Sequence, residues 1–524
     1  MILTGADNEH GVVSTNITSG SVSICSDRDD NIDPTSKRKK KASRDFNQAI
    51  NSNGSSKHVE YWDIGDPSHN CRYCGALFWC GERLSTSSKI KPVYTGCCGK
   101  DGKIVLPKLN NPPQILQQLL YGDNDKGKHF RDNIGSYNSM FSFTSIGAKI
   151  DTSINQGKSP PIIKMQGQNY HLMGSLLPSD GQPPKFAQLY IYDTENEVAN
   201  KINAVRKNDN SNNLHSEIVH ELKTMLDENN VLVKSFRMAK ETLLDDRSSN
   251  IKLKLIGKRG KDGRTYNLPS VPEVAALIVG DFDRVDGDRD ILVETRSGKL
   301  NRINELNAAY LALQYPLLFP YGEDGYREDI EFSEGRACEG GRKNISQREF
   351  FAYRMHDRDD EATTLLHSRK LFQQFLVDAF TTVESARTRW VRQNQPQLRA
   401  QMYKGLQDAY IRGETDASTQ GKRIILPSSF TGGPRNMIQN YQDAMAICRW
   451  AGYPDLFITF TCNSKWPEIT RFLDKRKLKP EDRPDIVCRV FKIKLDELMN
   501  DIQKKHIFGE VKAVVYTMDL HRLL

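Results

Sequence analysis

Five of the ten cysteines in this chain of 524 residues lie between Cys71 and Cys98, and their spacing is the first feature that could do chemistry. Cys71-Arg72-Tyr73-Cys74 is a Cys-x2-Cys turn, which aims two thiolates at one point in space. A zinc ion about 2.3 Å from each sulfur would hold a loop-rich module too small to fold on its own core. Two more ligands are needed, and Cys97 and Cys98 are the natural second pair. Adjacent residues rarely both reach one tetrahedral centre without strain, so His69 or Cys80 could replace one of them. A set of buried free cysteines is the plain alternative. Nothing beside the group resembles a general base, which points to a structural rather than a catalytic site. Without a secretion signal, the thiols are expected to stay reduced.

Polyanion chemistry is the second theme. Lys and Arg total 74 against 66 acidic residues, a net charge of +8. Between residues 384 and 412 stand Arg387, Arg389, Arg392, Arg399, Lys404 and Arg412, opposed by Glu384 and Asp408, with Trp390 and Tyr403 interleaved. A helix pair this basic could track a phosphate backbone and stack on bases; a solvated face with its aromatics turned to the core is the alternative. Lys37, Arg38, Lys39, Lys40 and Lys41 form a basic block of the kind that a nuclear import receptor or a nucleic-acid backbone binds, or a mere solvated charge run. Two other motifs fail. Gly157-Lys158-Ser159 lacks the earlier glycine of a phosphate-binding loop, since Thr152 stands there. Asp281, Asp283, Asp286 and Gly287 resemble a calcium loop, but Val285 occupies a ligand position and no glutamate closes it.

The elements that must position these residues follow from composition and periodicity. With 38% hydrophobic and 27% charged residues and a mean hydropathy of −0.60, the chain can bury real cores, and no apolar run approaches a membrane span. Residues 1–57 read as a disordered tail carrying the basic run, and residues 58–110 as a zinc-ribbon-like module. Residues 111–330 read as a mixed α+β domain. Within it PPQILQQLLYG is a helix, FSFTSIGAKID and KFAQLYIYD (Lys185 to Asp193) are strands, and 194–230 is helical. LNAAYLALQYPLLFPYGEDGY (Leu306 to Tyr326) is a helix ending in a Pro- and aromatic-rich stop. A Gly-rich stretch at 331–344 is a linker. Residues 345–524 open with amphipathic helices through REFFAYRMHDR and LLHSRKLFQQFLVDAFTTVESARTRWVRQN, resumed after Pro396 as QLRAQMYKGLQDAYIRG. They continue as a helix at NMIQNYQDAMAICRWAG, a strand LFITFTCN (Leu456 to Asn463), a helix IVCRVFKIKLDELMNDIQKK and a strand VKAVVYT (Val511 to Thr517). The expected fold class is α+β, with a helical lead-in to an incomplete α/β domain.

These residues carry a resemblance. GKRIILPSSFTGGPRNMIQNYQDAMAICRWAGYPDLFITFTCNSKWPEI, RPDIVCRVFKIKLDELM and FGEVKAVVYT resemble the amino-terminal part of the replication-initiator region of Helitron transposons, the Helitron helicase-like domain. Upstream, CRYCGALFWCGERL with Cys97-Cys98, FRDNIGSYNSMFSFTS and LNAAYLALQYPLLFPYGEDGY are similar to plant-type members. The resemblance implies rolling-circle transposition: nicking of single-stranded DNA, a covalent tyrosine link and a separate helicase. Nicking needs two histidines at i and i+2 on one strand to hold a divalent ion, and a tyrosine to attack. Only the first initiator motif, LFITFTCNSKWPEI, is present. None of the eleven histidines stands two residues from another, and no phosphate-binding loop exists. No catalytic residue is carried over, and the divalent ion of the family nuclease is not expected.

The expected function is that of a truncated Helitron protein that binds single-stranded DNA through Arg387, Arg389, Arg392, Arg399 and Lys404, holds structural zinc at Cys71, Cys74, Cys97 and Cys98, and lacks nicking and helicase activities. A domesticated zinc-containing nuclear interaction protein and a fragment of a full-length rolling-circle transposase are the alternatives. The expected location is the nucleus, otherwise the cytoplasm, and not outside the cell. No membrane partner and no small-molecule substrate are expected.

Overall fold

The structure, a computed structural model, describes residues 61–151, 164–205, 214–245, 251–279, 290–295, 300–333, 342–395 and 424–517. It is an α+β chain. In chain order the elements are β1 (His69–Asn70), β2 (Leu77–Phe78), α1 (Gln114–Tyr121), α2 (Asp125–Asp132), α3 (Ile134–Phe141), β3 (Ser145–Asp151) and β4 (Lys164–Met173). There follow α4 (Glu197–Val205), α5 (Ser216–Asn229), α6 (Val231–Asp245), β5 (Ile251–Leu255), α7 (Val271–Val274), β6 (Ala275–Val279), β7 (Ile291–Glu294), β8 (Asn301–Arg302) and α8 (Tyr310–Gln314). The last are α9 (Gln347–Arg354), α10 (Lys370–Gln393), α11 (Pro434–Ala451), α12 (Pro467–Asp474) and α13 (Pro484–Gln503). The chain divides into two units, one built from 67–425 with 472–489, the other from 1–66 with 426–471 and 490–523.

In the first unit all sheets are antiparallel: the β1–β2 hairpin, a three-stranded sheet ordered β3-β4-β8, and another ordered β6-β5-β7. The sequence of β5, Ile-Lys-Leu-Lys-Leu, explains its place at the centre of its sheet. Ile251, Leu253 and Leu255 are buried, whereas Lys252 and Lys254 turn outward to Glu294 and Asp290. Helix α1 starts after Pro112-Pro113 and stops where Gly122 N donates to Gln118 O. It buries Leu116, Leu119 and Leu120, each contributing about 2 kcal/mol.

The centre of this unit is the apolar run around α8. Every residue of α8 is buried, as a helix without a polar stripe must be. A buried polar group fixes it. The Tyr315 hydroxyl donates to Asp378 Oδ2 at 3.0 Å, and His171 Nε2 lies 2.7 Å from the same oxygen. A carboxylate only accepts, so the imidazole carries its proton on Nε2. His171 also stacks on Tyr310 with ring centres 4.0 Å apart. One carboxylate on α10 thus ties down β4 and the end of α8.

In the second unit, residues 61–66 are clamped. Lys494 Nζ lies 2.9 Å from Glu468 Oε1, donates to Trp62 O at 2.9 Å, and sits 4.5 to 5.2 Å from the ring centres of Tyr61, Trp62 and Trp466. Tyr61 OH donates to Glu468 Oε2, and Arg471 pairs with both Asp63 and Asp66. Helix α11 buries no residue, and Met437, Ile438, Tyr441, Met445 and Trp450 are exposed along it.

Several sequence expectations hold: the helices at 112–122, 434–451 and 484–503, the helices Glu197–Val205 and Ser216–Asn229 within 194–230, and the strand through 145–151. Others do not. KFAQLYIYD is a 3-10 helix (Phe186–Tyr190), because Gln188 Oε1 accepts from Lys185 N at 3.0 Å and its amide reaches Leu177 O at 3.2 Å, satisfying groups that a strand would pair in a ladder. The stretch at 306–326 is helical only over Tyr310–Gln314, with turns to either side. Neither LFITFTCN nor VKAVVYT forms a strand, since among the described residues no neighbouring strand supplies a ladder to either. Phe460 instead stacks on Trp466 and Phe491. The tail with Lys37 to Lys41, the two failed motifs, the Gly-rich stretch at 334–341 and QLRAQMYKGLQDAYIRG lie outside the described residues.

Two outcomes follow from these buried groups. Asp378→Ala strands the Tyr315 hydroxyl and the His171 imidazole, and is expected to lower unfolding free energy by about 3 kcal/mol in urea titrations. Lys201, fully buried against the Tyr190 ring and donating to Met140 O at 3.2 Å, has its pKa pushed down to about 8 by burial, against the pull of Glu197. An unfolded lysine keeps its proton to about pH 10.5. The unfolded chain therefore binds more protons between those values, so stability from this site rises from about pH 8 to 10.5 and is lost as pH falls back. Subtracting the melting profile of Lys201→Met from that of the natural chain should reveal this rise.

Candidate metal centre and nucleic-acid face

The cysteine loops are built by glycine. The β1–β2 hairpin, in register His69 to Phe78 and Asn70 to Leu77, turns through Cys71-Arg72-Tyr73-Cys74-Gly75, with Gly75 at φ +72° and its N–H donating to Cys71 O. The second loop runs through Cys97-Cys98-Gly99-Lys100-Asp101-Gly102, where Gly99 and Gly102 also have positive φ and Ile104 N donates to Cys98 O. The loops meet at a point with no spare room: a Cβ on Gly102 would lie 2.5 Å from Tyr73 Cγ.

This brings four sulfurs together. Cys71 Sγ is 3.6 Å from Cys98 Sγ, Cys97 Sγ is 3.7 Å from Cys98 Sγ, and the Sγ atoms of Cys71, Cys74, Cys97 and Cys98 all lie within 4.8 Å of one another. A tetrahedron with metal–sulfur bonds of about 2.3 Å has edges of about 3.8 Å, so this quartet fits one thiophilic ion. Three of the four are buried and Cys74 is half-buried, and all are free thiols. Hydrogen bonds from Cys74, Cys97 and Cys98 hold the Cys71 thiol well below its ordinary range, while donation to Cys71 raises Cys97 and Cys98. A cation held by all four would displace their protons. The adjacent pair Cys97 and Cys98 both reach the centre. His69, beside Ser68, and Cys80, beside Arg83, lie outside the quartet.

The basic residues are dispersed differently. On α10, Arg387 and Arg392 are exposed, and Trp390 is 53% exposed, one turn beyond Arg387. Phe380, 46% exposed, lies two turns before Arg387 on the same side, so an apolar, aromatic and cationic stripe faces solvent. Arg389 pairs with Glu305, which commits its guanidinium within the protein. Arg399, Lys404 and Tyr403 lie outside the described residues. Among the described residues no helix is long and apolar enough to cross a membrane.

Residues 350–522, about a third of the chain, match the family described as the Helitron helicase-like domain at the N-terminus. The chain carries a Helitron helicase-like domain. Within the match fall α10 to α13 and most of α9. The cysteine quartet lies outside it, more than 200 residues upstream in sequence. No curated protein matches the chain.

Sequence reasoning found the quartet but not what surrounds it. Arg358, Asp357 and Arg489, which hold the hairpin, sit in REFFAYRMHDR and IVCRVFKIKLDELMNDIQKK, which read only as amphipathic helices. Gly102→Ala places a side chain against Tyr73 at positive φ, and is expected to cost about 2 kcal/mol and loosen the quartet. Thermal melting together with the rate of metal release to a chelator checks this; an unchanged melt and release rate would sink it.

Proposed function

We propose that this protein binds single-stranded DNA without sequence-specific chemistry, using the outer stripe of α10, and that Cys71, Cys74, Cys97 and Cys98 close around a structural zinc ion. The observation that carries the reading is the Helitron helicase-like match, whose longest helix presents Arg387, Trp390 and Arg392 to solvent. Guanidinium groups neutralise phosphates and release counterions, and an exposed indole offers a face on which any base can stack. The spacing of the four sulfurs supports zinc, because all lie within 4.8 Å of one another, near the edge of about 3.8 Å that a tetrahedral ion needs. Nicking is not part of the proposal, since these 524 residues contain no pair of histidines two apart. A nuclear location, with Lys37 to Lys41 as the import signal, suits such a partner.

The test is equilibrium binding of a fluorescent single-stranded oligonucleotide across a salt series, with the metal content measured on the same preparation. Replacing both Arg387 and Arg392 by Ala should reduce the slope of log affinity against log salt by about 1.4. Trp390→Ala should weaken binding about tenfold at every salt concentration. One zinc per chain is expected, and stripping it should lower the melting temperature. Affinity indifferent to salt and to these substitutions would overturn the DNA reading. A covalent protein–DNA adduct lost on replacing a tyrosine would overturn the exclusion of nicking, and a melt untouched by chelation would overturn zinc.

A further inference from the structure

The cysteine hairpin is gripped by residues of the Helitron helicase-like domain, and one grip reaches a sulfur. After α9 the chain runs through Met355-His356-Asp357-Arg358-Asp359-Asp360-Glu361. The Arg358 side chain is only 1% exposed. Its Nη2 donates to Cys74 Sγ at 3.7 Å and its Nε to Cys74 O at 3.1 Å. Its Nη1 donates to Tyr353 O at 2.9 Å and to Glu361 Oε2 at 3.0 Å, and the guanidinium lies 3.8 Å from the centre of the Tyr353 ring. The fork is therefore fixed on all sides before any metal is considered.

Backbone contacts extend the grip. Leu77 N, on β2, donates to Asp357 O at 2.9 Å. Asp357 in turn pairs with Arg483 at 2.7 Å, a guanidinium with no solvent exposure that also pairs with Asp485 at the start of α13. Arg489, further along α13, forms two bonds to Glu82 and one to Leu77 O. The hairpin that carries Cys71 and Cys74 is thus joined at Cys74, Leu77 and Glu82 to the segment 355–361 and to α13.

Four thiolates around one divalent ion leave an excess of about two negative charges in a largely buried place. A permanently charged, immobilised guanidinium that donates to one sulfur offsets part of that excess, and groups touching ligands commonly change metal affinity by about 10–100-fold. The geometry points to Arg358 as a positioning residue of the cysteine site, so that a metal-loaded quartet latches segment 355–361 and, through it, the start of α13. This rests on the reading that the four cysteines hold a metal. Metal occupancy then steadies part of the Helitron helicase-like domain as well as its own module, and loss of the metal weakens the bond from Arg358 to the Cys74 sulfur while that to Cys74 O remains.

Cobalt(II) titration of the full chain separates the two ideas. Its visible bands report four-coordinate geometry and its ultraviolet charge-transfer bands report thiolate ligation. The natural chain should bind one cobalt with a four-sulfur spectrum, and Arg358→Ala should keep that spectrum while losing about 10–100-fold in affinity in competition with a chelator. Arg358→Lys, which keeps the charge but not the fork, should fall between them, and it serves if the alanine variant does not fold. In the natural chain, amide exchange over 355–361 and at Leu77 should speed up when the metal is removed. No four-sulfur spectrum in the natural chain would defeat the metal reading itself. A normal spectrum with unchanged affinity in both variants, or exchange over 355–361 indifferent to metal, would defeat the role of Arg358 alone.

Discussion

A single buried carboxylate sets the geometry on which the larger unit depends. Asp378 accepts from Tyr315 and from His171, so the helix that carries it can sit against β4 and α8 in one register only. Apolar packing by itself would be more forgiving, because burial is non-directional and α10 could slide by a residue at modest cost. Such a slide rotates a helix by about 100°. It would turn Trp390 and Arg387 away from solvent and bring Arg389 out of reach of Glu305. The polar node therefore exchanges some stability for a defined orientation, and the orientation is what makes α10 a usable surface.

Much of this was legible in the chain. Pro112-Pro113 and Gly122 delimit α1 through neighbours within a few residues, and Cys-x2-Cys with a second cysteine pair marks the quartet by residue type and spacing. What was illegible depends on partners far along the chain. KFAQLYIYD has an apolar alternation that suits a strand, and only the reach of Gln188 to Leu177 makes it a 3-10 turn. LFITFTCN has strand-like residues, yet a strand is a pairing rather than a composition, and its Phe460 stacks on Trp466 and Phe491. Arg389 and Arg387 look alike in sequence; Glu305, 84 residues away, separates their roles. Arg358 closes REFFAYRMHDR, which reads as an amphipathic helix, yet the helix ends at Arg354 and the Arg358 side chain is almost wholly buried.

Adjacent cysteines serving one centre also became intelligible only in three dimensions. The strain expected of Cys97-Cys98 is absorbed by Gly99 and Gly102, which take backbone angles that other residues avoid and let the second loop close against Tyr73. The glycines, more than the cysteines, decide whether four thiols become a cage.

The boundaries of the family match and the boundaries of mechanical support are different things. The match opens at Phe350, inside α9 and beyond Ser346, whose hydroxyl and backbone N–H share Glu349 in the capping box that starts the helix. A polypeptide cut at that point would lose this cap. It would also lose the hairpin that occupies Arg489 and Arg358, and the Tyr61 and Trp62 groups that shield the buried Lys494 and Glu468 pair. Each of these latter losses removes a partner of a charged side chain inside the match. The contacts that support the matched segment therefore extend beyond its edges, to Ser346, to the cysteine hairpin and to Tyr61 and Trp62.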